Sequence, residues 1–247
     1  MPEQGAQYDH IGSKYDEYAR TATLKQAELY TFFRMVGALD GQRVLDLACG
    51  FGFYTRLLKQ HGAAQVIGVD ISPEMIRLAT QQEQTEPLGI TYQVCDAEAL
   101  PQLGPFDLVT AVYLLNYATS KDQMLGMFRS VYDNLMEGGR FIAYTVNPAF
   151  TLSKPNSTKY GVTVLRETPE EDRYACAAEF ITDSSPAPVS WYRWSQATYE
   201  WEVKEARFRD FVWYPSEVAP ADVARDGAGY WCDFHDNCLV IGLICQK

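Results

Sequence analysis

The sequence holds no Cys-x-x-Cys pair and only three histidines, so the paired ligands of a structural zinc site are missing and no metal is expected. Its six cysteines are scattered at 49, 95, 176, 232, 238 and 245, a spacing that fits reduced thiols in the cytoplasm better than a disulfide framework. No apolar run approaches the ~18–20 residues of a membrane span, and the N-terminus lacks an apolar signal core. The chain is therefore expected to carry no secretory peptide and to have no membrane partner. Basic residues are scarce: 21 Lys and Arg face 32 Asp and Glu, a net charge of −11, and none cluster into a stripe. A nucleic-acid partner needs a positive footprint for its phosphates, so none is expected. Low-complexity tracts and repeats of fixed period are also missing, which argues against a solenoid or propeller.

What is present is alternation. Leu29, Phe32, Phe33 and Val36 form an apolar stripe that predicts a helix over 24–36. Val44–Ala48 reads as a short buried strand. A helix carrying Tyr54, Leu57, Leu58 and His61 follows and stops at Gly62. Val66–Asp70 is a second buried strand, and Ser72-Pro73-Glu74 opens the next helix with a cap, a proline at the first position and an acid at the positive dipole end. Ile90–Cys95 and Phe106–Tyr113 supply two more strands. After a helix bearing Met124, Met127, Phe128, Val131 and Leu135, the pair Gly138-Gly139 is expected to turn the chain into a fifth strand, Arg140–Val146. Continuous apolar strands joined by helical crossovers imply a parallel sheet covered on both faces.

The pattern changes after Asn147-Pro148. Tyr160–Glu167, Tyr174–Thr182 and Val189–Trp194 are three β-rich stretches separated by turn residues, which suggests an antiparallel meander. Ser195–Phe208 reads as a helix, Phe211–Tyr214 as a strand, 215–238 as a loop and Leu239–Cys245 as a final strand. The expected organisation is a single domain over 1–247. It comprises a helical cap (1–40), a ligand-binding core (41–147), an inserted meander cover (148–195) and a C-terminal helix with strands (196–247).

Chemistry concentrates at the strand ends. The run Asp46-Leu47-Ala48-Cys49-Gly50-Phe51-Gly52 places small residues where backbone can approach a ligand, just before a helix N-terminus. The third glycine of a dinucleotide turn is absent, since Thr55 stands there. Asp46, four residues before Gly50, would repel a pyrophosphate but attract the amino group and sulfonium of S-adenosylmethionine (SAM). Asp70 closes the second strand, where an acid accepts from ribose hydroxyls. Asp96, in Cys95-Asp96-Ala97-Glu98, closes the third, where a carboxylate can accept from an adenine amine.

Together, in this order, these motifs resemble the class I SAM-dependent methyltransferase family over residues 8–147. Leu135–Arg140 is similar to that family's L-x-P-G-G turn, with Glu137 in place of proline. The resemblance implies a Rossmann-like α/β sheet, mostly parallel with the last strand antiparallel, under a helical N-terminal cap and an inserted antiparallel β-meander. It implies SAM as cofactor and S-adenosylhomocysteine (SAH) as product. Candidate cofactor residues are Tyr15, Arg20, Asp46, Ala48, Gly50, Gly52, Asp70, Ile71, Met75, Asp96, Ala97, Glu98 and Tyr113. Tyr15 and Arg20, in and after the repeat Tyr8-Asp9…Tyr15-Asp16, are the implied partners of the cofactor carboxylate. The meander and Gly229–Phe234 resemble small natural-product methyltransferases, notably the toxoflavin-type group, which methylates ring nitrogens.

A flat ring acceptor suits an aromatic wall. Asn116, Tyr117, Tyr144, Asn147, Trp191 and Trp231 are the candidate substrate residues. Neighbouring strand residues face opposite ways, so Trp191 and Tyr192 cannot both point inward. His235, and after it His10, are candidate bases, whereas His61 ends a helix at the far edge of the sheet. The expected partner is a small molecule and the expected assembly a monomer or homodimer. A small-molecule O-methyltransferase and a non-catalytic SAM- or SAH-binding subunit are the alternative readings.

Overall fold

A computed structural model of the chain describes Lys14 and residues 17–247. Tyr8, Asp9, His10, Tyr15 and Asp16, on which part of the cap reading rests, lie outside the described residues.

Seven strands form one sheet in the order β3-β2-β1-β4-β5-β10-β9. β1 (Arg43–Leu47) is central and pairs in parallel with β2 (Gln65–Asp70) and β4 (Phe106–Val112). β3 (Thr91–Val94) and β5 (Leu135–Val146) extend the parallel set on either side. β10 (Val240–Gln246) runs antiparallel to both β5 and β9 (Arg209–Pro215). This is the Rossmann-like arrangement, parallel in its core with the last strand of the chain antiparallel. The strand order reverses between β1 and β4, which opens a crevice at the carboxyl ends of the strands where ligands bind in such sheets.

Strand alternation divides the apolar residues between two cores. Val44, Leu108 and Ile142 face one side, with α1 (Thr23–Val36) and α2 (Phe53–Gln60). Leu45, Val109 and Phe141 face the other, against α4 (Lys121–Asn134) and α5 (Gln196–Glu205). Each large apolar side chain buried this way contributes ~1.5–3 kcal/mol. The cap of α3 (Pro73–Thr85) forms as its sequence suggests: the Ser72 hydroxyl accepts from the Met75 N–H at 3.2 Å.

A separate three-stranded antiparallel sheet, β6 (Val162–Pro169), β7 (Arg173–Phe180) and β8 (Ala187–Trp194), is the meander. Trp191 joins the core shared with α1, whereas Tyr192 joins the opposite core beneath the Arg173 guanidinium, 3.7 Å from its ring centre. The meander is anchored by Trp194, whose indole N–H donates to Ala118 O at 3.1 Å.

Two expectations are corrected. Gly138-Gly139 does not precede the fifth strand but lies inside it. β5 begins at Leu135, which pairs with Phe106, and the register then shifts so that Leu108 meets Arg140. The glycines absorb this irregularity: Gly138 has φ +77°, and a Cβ on Gly139 would stand 2.9 Å from Met136 O. Residues 215–238 are also more than a loop. They hold α6 (Pro220–Asp226) and α7 (Cys232–Asp236). Pro220 opens α6 and Gly227 closes it, but it buries no residue, so no apolar stripe betrays it.

Candidate functional site

The turn after β1 is shaped by backbone. Ala48, Gly50 and Gly52 all have positive φ, 53°, 55° and 89°. Gly52 permits nothing larger, because a Cβ there would overlap the Tyr92 ring, with Cζ at 2.9 Å. The Gly50 N–H donates to Asp70 Oδ2 at 2.8 Å, and the Ser72 N–H donates to Asp70 Oδ1 at 2.9 Å. Asp70 therefore fixes the glycine turn against the end of β2.

These parts line a cavity with about 880 Å³ of atom-free space, some of it open to solvent. Ala48–Phe51 form one wall, Asp70, Ile71 and Met75 a second, and Tyr113 and Tyr117, beyond β4, a third. Six of the sequence-predicted cofactor residues, Ala48, Gly50, Asp70, Ile71, Met75 and Tyr113, thus meet around one space.

Other candidates stand elsewhere. Asp46 is 1% exposed, and its carboxylate accepts from Thr55 Oγ1 at 2.6 Å and Thr110 Oγ1 at 2.8 Å. It braces the sheet and does not face the cavity, so the expected direct attraction to a sulfonium is corrected. Burial pushes its pKa up to about 6, and the two hydroxyls oppose that rise. Gly52 shapes the turn without lining the cavity. Asp96 caps the turn Ala97–Ala99 by accepting from the Glu98 N–H at 2.9 Å. That cap holds Asp96, Ala97 and Glu98 beside the β2 end, where the Cys95 N–H reaches Asp70 O at 3.0 Å, but outside the cavity wall. Arg20 lies over a neighbouring groove beside Arg56 and Gln82.

The cavity also contains residues that the sequence did not single out. Lys25 reaches into it from α1 and is 2% exposed. Its ammonium lies 2.5 Å from Glu28 Oε1 and 4.4 Å from the Tyr54 ring centre. Glu28, fully buried, also accepts from the Tyr54 and Tyr113 hydroxyls. Burial, and then the Glu28 charge, hold the Tyr113 phenol well above its ordinary pKa, so it stays a neutral donor. The spacing of Lys25 and Glu28 is that of an ordinary i,i+3 ion pair on a helix surface, so nothing in the sequence singles them out.

A smaller chamber, with about 360 Å³ of atom-free space, lies between the sheet edge and the meander. Tyr113 and Tyr117 separate it from the first cavity, and Asn116 and Trp191 line it. The remaining candidate substrate residues are structural. Tyr144 is fully buried within the sheet and bonds the Ser216 hydroxyl. Asn147 folds the end of β5, donating to Cys238 O at 2.9 Å and accepting from the Ala149 N–H at 2.9 Å. Trp231 stacks on Tyr160 with centres 5.4 Å apart, an apolar seam under α7. His235 sits exposed on α7, away from both cavities, so it is not placed as a base; His10 lies outside the described residues. His61 is exposed and stacks on Phe33 at 4.0 Å.

Comparison with known proteins points the same way. Residues 44–139 match the model of a family described as a methyltransferase domain. The chain is 32% identical over 178 residues to the ubiquinone/menaquinone biosynthesis C-methyltransferase UbiE of Desulfotalea psychrophila, covering 69% of this chain and 70% of that one. It is 33% identical over 113 residues to a ubiquinone biosynthesis O-methyltransferase of Coxiella burnetii, covering 45% of this chain; there it spans about half of its relative's length, 47%. A solved SAM-dependent methyltransferase from Mesorhizobium loti shares the fold with a TM-score of 0.65 at 21% identity, over 90% of this chain and 98% of that one.

Proposed function

The chain belongs to the SAM-dependent methyltransferase family, and from that premise we propose that it moves a methyl group from SAM to a ring nitrogen of a small heteroaromatic molecule. One observation carries the reading: two chambers meet at Tyr113 and Tyr117, one walled by the glycine turn and Asp70, the other by the meander.

The cavity chemistry fits the cofactor. Asp70 stands at one end as an acceptor for ribose hydroxyls, with Ile71 and Met75 as apolar neighbours. Lys25 offers a cation for the amino-acid carboxylate, and the Tyr113 and Tyr117 rings in the wall suit a sulfonium. When bound, SAM supplies a methyl group open to in-line attack. The protein's own task is to position the two reactants and exclude water, which can supply ~7–11 kcal/mol of the barrier. Asp96, Ala97 and Glu98 would reach the adenine at the mouth beside β2. Asp46 would act only by holding the sheet beneath the turn.

Within the same reading, residues 41–147 form the cofactor unit, 148–195 the cover, 1–40 the cap and 196–247 the completing strands of a single domain acting in the cytoplasm as a monomer or homodimer. No helix among the described residues is long and apolar enough to cross a membrane. O-methylation is the second reading, favoured by the name of the Coxiella relative and by the Tyr113–Glu28 contact, which could take a phenol's proton.

Calorimetry with SAM and SAH, followed by transfer assays on heteroaromatic and phenolic acceptors, tests the proposal. Cofactor binding with label appearing on nitrogen supports it. Label on oxygen moves the assignment to the second reading, and failure of both cofactor forms to bind at millimolar concentration sinks the enzyme reading altogether.

A further inference from the structure

The meander chamber holds two polar atoms left without a partner among the described residues. Asn116 is 1% exposed and its Oδ1 receives no hydrogen bond from them; Trp191 is 4% exposed and its indole N–H donates to none of them. Both side chains line this one chamber. On the same strand the fold satisfies another buried indole, since Trp194 donates to Ala118 O at 3.1 Å. Among the described residues Trp191 is given no such partner.

A buried polar group without a partner carries its desolvation cost uncompensated. A chamber that keeps one acceptor and one donor unpaired in an otherwise aromatic and aliphatic wall is shaped for a molecule that brings the complementary pair. The wall is aromatic: Tyr18 and Phe180 stack with centres 4.4 Å apart, and Tyr113 and Tyr117 line the same space. The atom-free space, about 360 Å³, includes the part open to solvent and its enclosed part is small, so a ring that binds here must displace part of the wall.

We infer that this chamber selects a planar, lactam-type ring, with its N–H directed to Asn116 and its carbonyl to the Trp191 indole. The inference rests on the methyltransferase reading of the adjoining cavity and names the class of acceptor that reading leaves open. Rotating the Asn116 amide exchanges its donor and acceptor, but Trp191 can only donate, so a ring carbonyl stays required in either orientation. An apolar ring of the same shape leaves both atoms unpaired and is rejected, as in sites built to hydrogen-bond their substrate.

The test is calorimetric titration of the full chain, saturated with SAH, using 2-quinolone, N-methyl-2-quinolone and naphthalene as probes. 2-Quinolone should bind at least about tenfold more tightly than either of the others. Asn116→Leu and Trp191→Phe should each reduce that preference severalfold or more. Without ligand, Asn116→Leu should melt higher than the parent, because it removes an unpaired buried group; a residue with only a structural role would melt lower. Equal binding of the three probes, no binding of 2-quinolone, or variants that keep the full preference would overturn the inference. If SAH itself does not bind, the cofactor reading falls, and the same titrations on the free protein still decide the chamber.

Discussion

At the residue scale, Asp46 and Asp70 show how two acids at neighbouring strand ends take different work. Asp46 is enclosed with two threonine hydroxyls, and burial raises its pKa to about 6. An acid whose folded pKa lies above its unfolded value near 3.9 stabilises the fold below that lower value and loses the contribution as pH rises through about 6. The loss is about 3 kcal/mol across that window. Asp46→Asn should remove this component, so denaturation at pH 4 and pH 7 should show the parent's advantage over the variant shrinking at the higher pH. Asp70 instead accepts from two backbone amides and faces the cavity. Asp70→Ala should weaken SAM binding by more than tenfold and also cost at least about 1–2 kcal/mol, because the Gly50 and Ser72 amides lose their acceptor. Titration and melting of one preparation measure both effects; full affinity in the variant would misplace the ribose site.

At the element scale, the glycine turn depends on β3 as well as on its own sequence. The Tyr92 ring fills the space beside Gly52, and its buried hydroxyl lacks a partner among the described residues. Gly52→Ala should destabilise by about 1–3 kcal/mol through its positive φ and this overlap, and should lower cofactor affinity. Tyr92→Phe should be neutral or slightly stabilising, since it removes an unpaired hydroxyl while keeping the ring. Denaturant midpoints of the two variants check the contrast. The elements most readable in sequence were those with caps and apolar stripes: α3 begins at Ser72-Pro73 as expected, and the meander has its three strands. Those least readable were α6 and α7, too short and too exposed to carry a period, and β5, whose internal glycines imitate a turn.

At the scale of the whole molecule, the cavity joins α1, the glycine turn and the ends of β2 and β4, so its ligand should stabilise all of them together. At a hundredfold excess over Kd, SAH should add ~2.7 kcal/mol, or roughly 5–10 °C in Tm for a chain of this size. NAD at the same concentration should add nothing. A shift with NAD and none with SAH would contradict the cofactor assignment.

The parallel sheet, the glycine turn, Asp70 at its strand end and the antiparallel meander are legible locally, because strand period, capping and small-residue turns are written within a few residues. Which side chains face the cavity depends on tertiary packing. It withdrew Asp46 into the sheet, set Tyr144 and Trp231 in packed seams, left His235 in solvent, and brought in Lys25 and Glu28, which no motif had singled out. Burial is a property of what packs from elsewhere in the chain, and no local pattern records it. The same reason explains Asn116 and Trp191: the sequence offered them as polar and aromatic wall, and only the assembled chamber shows that both keep an atom unpaired among the described residues.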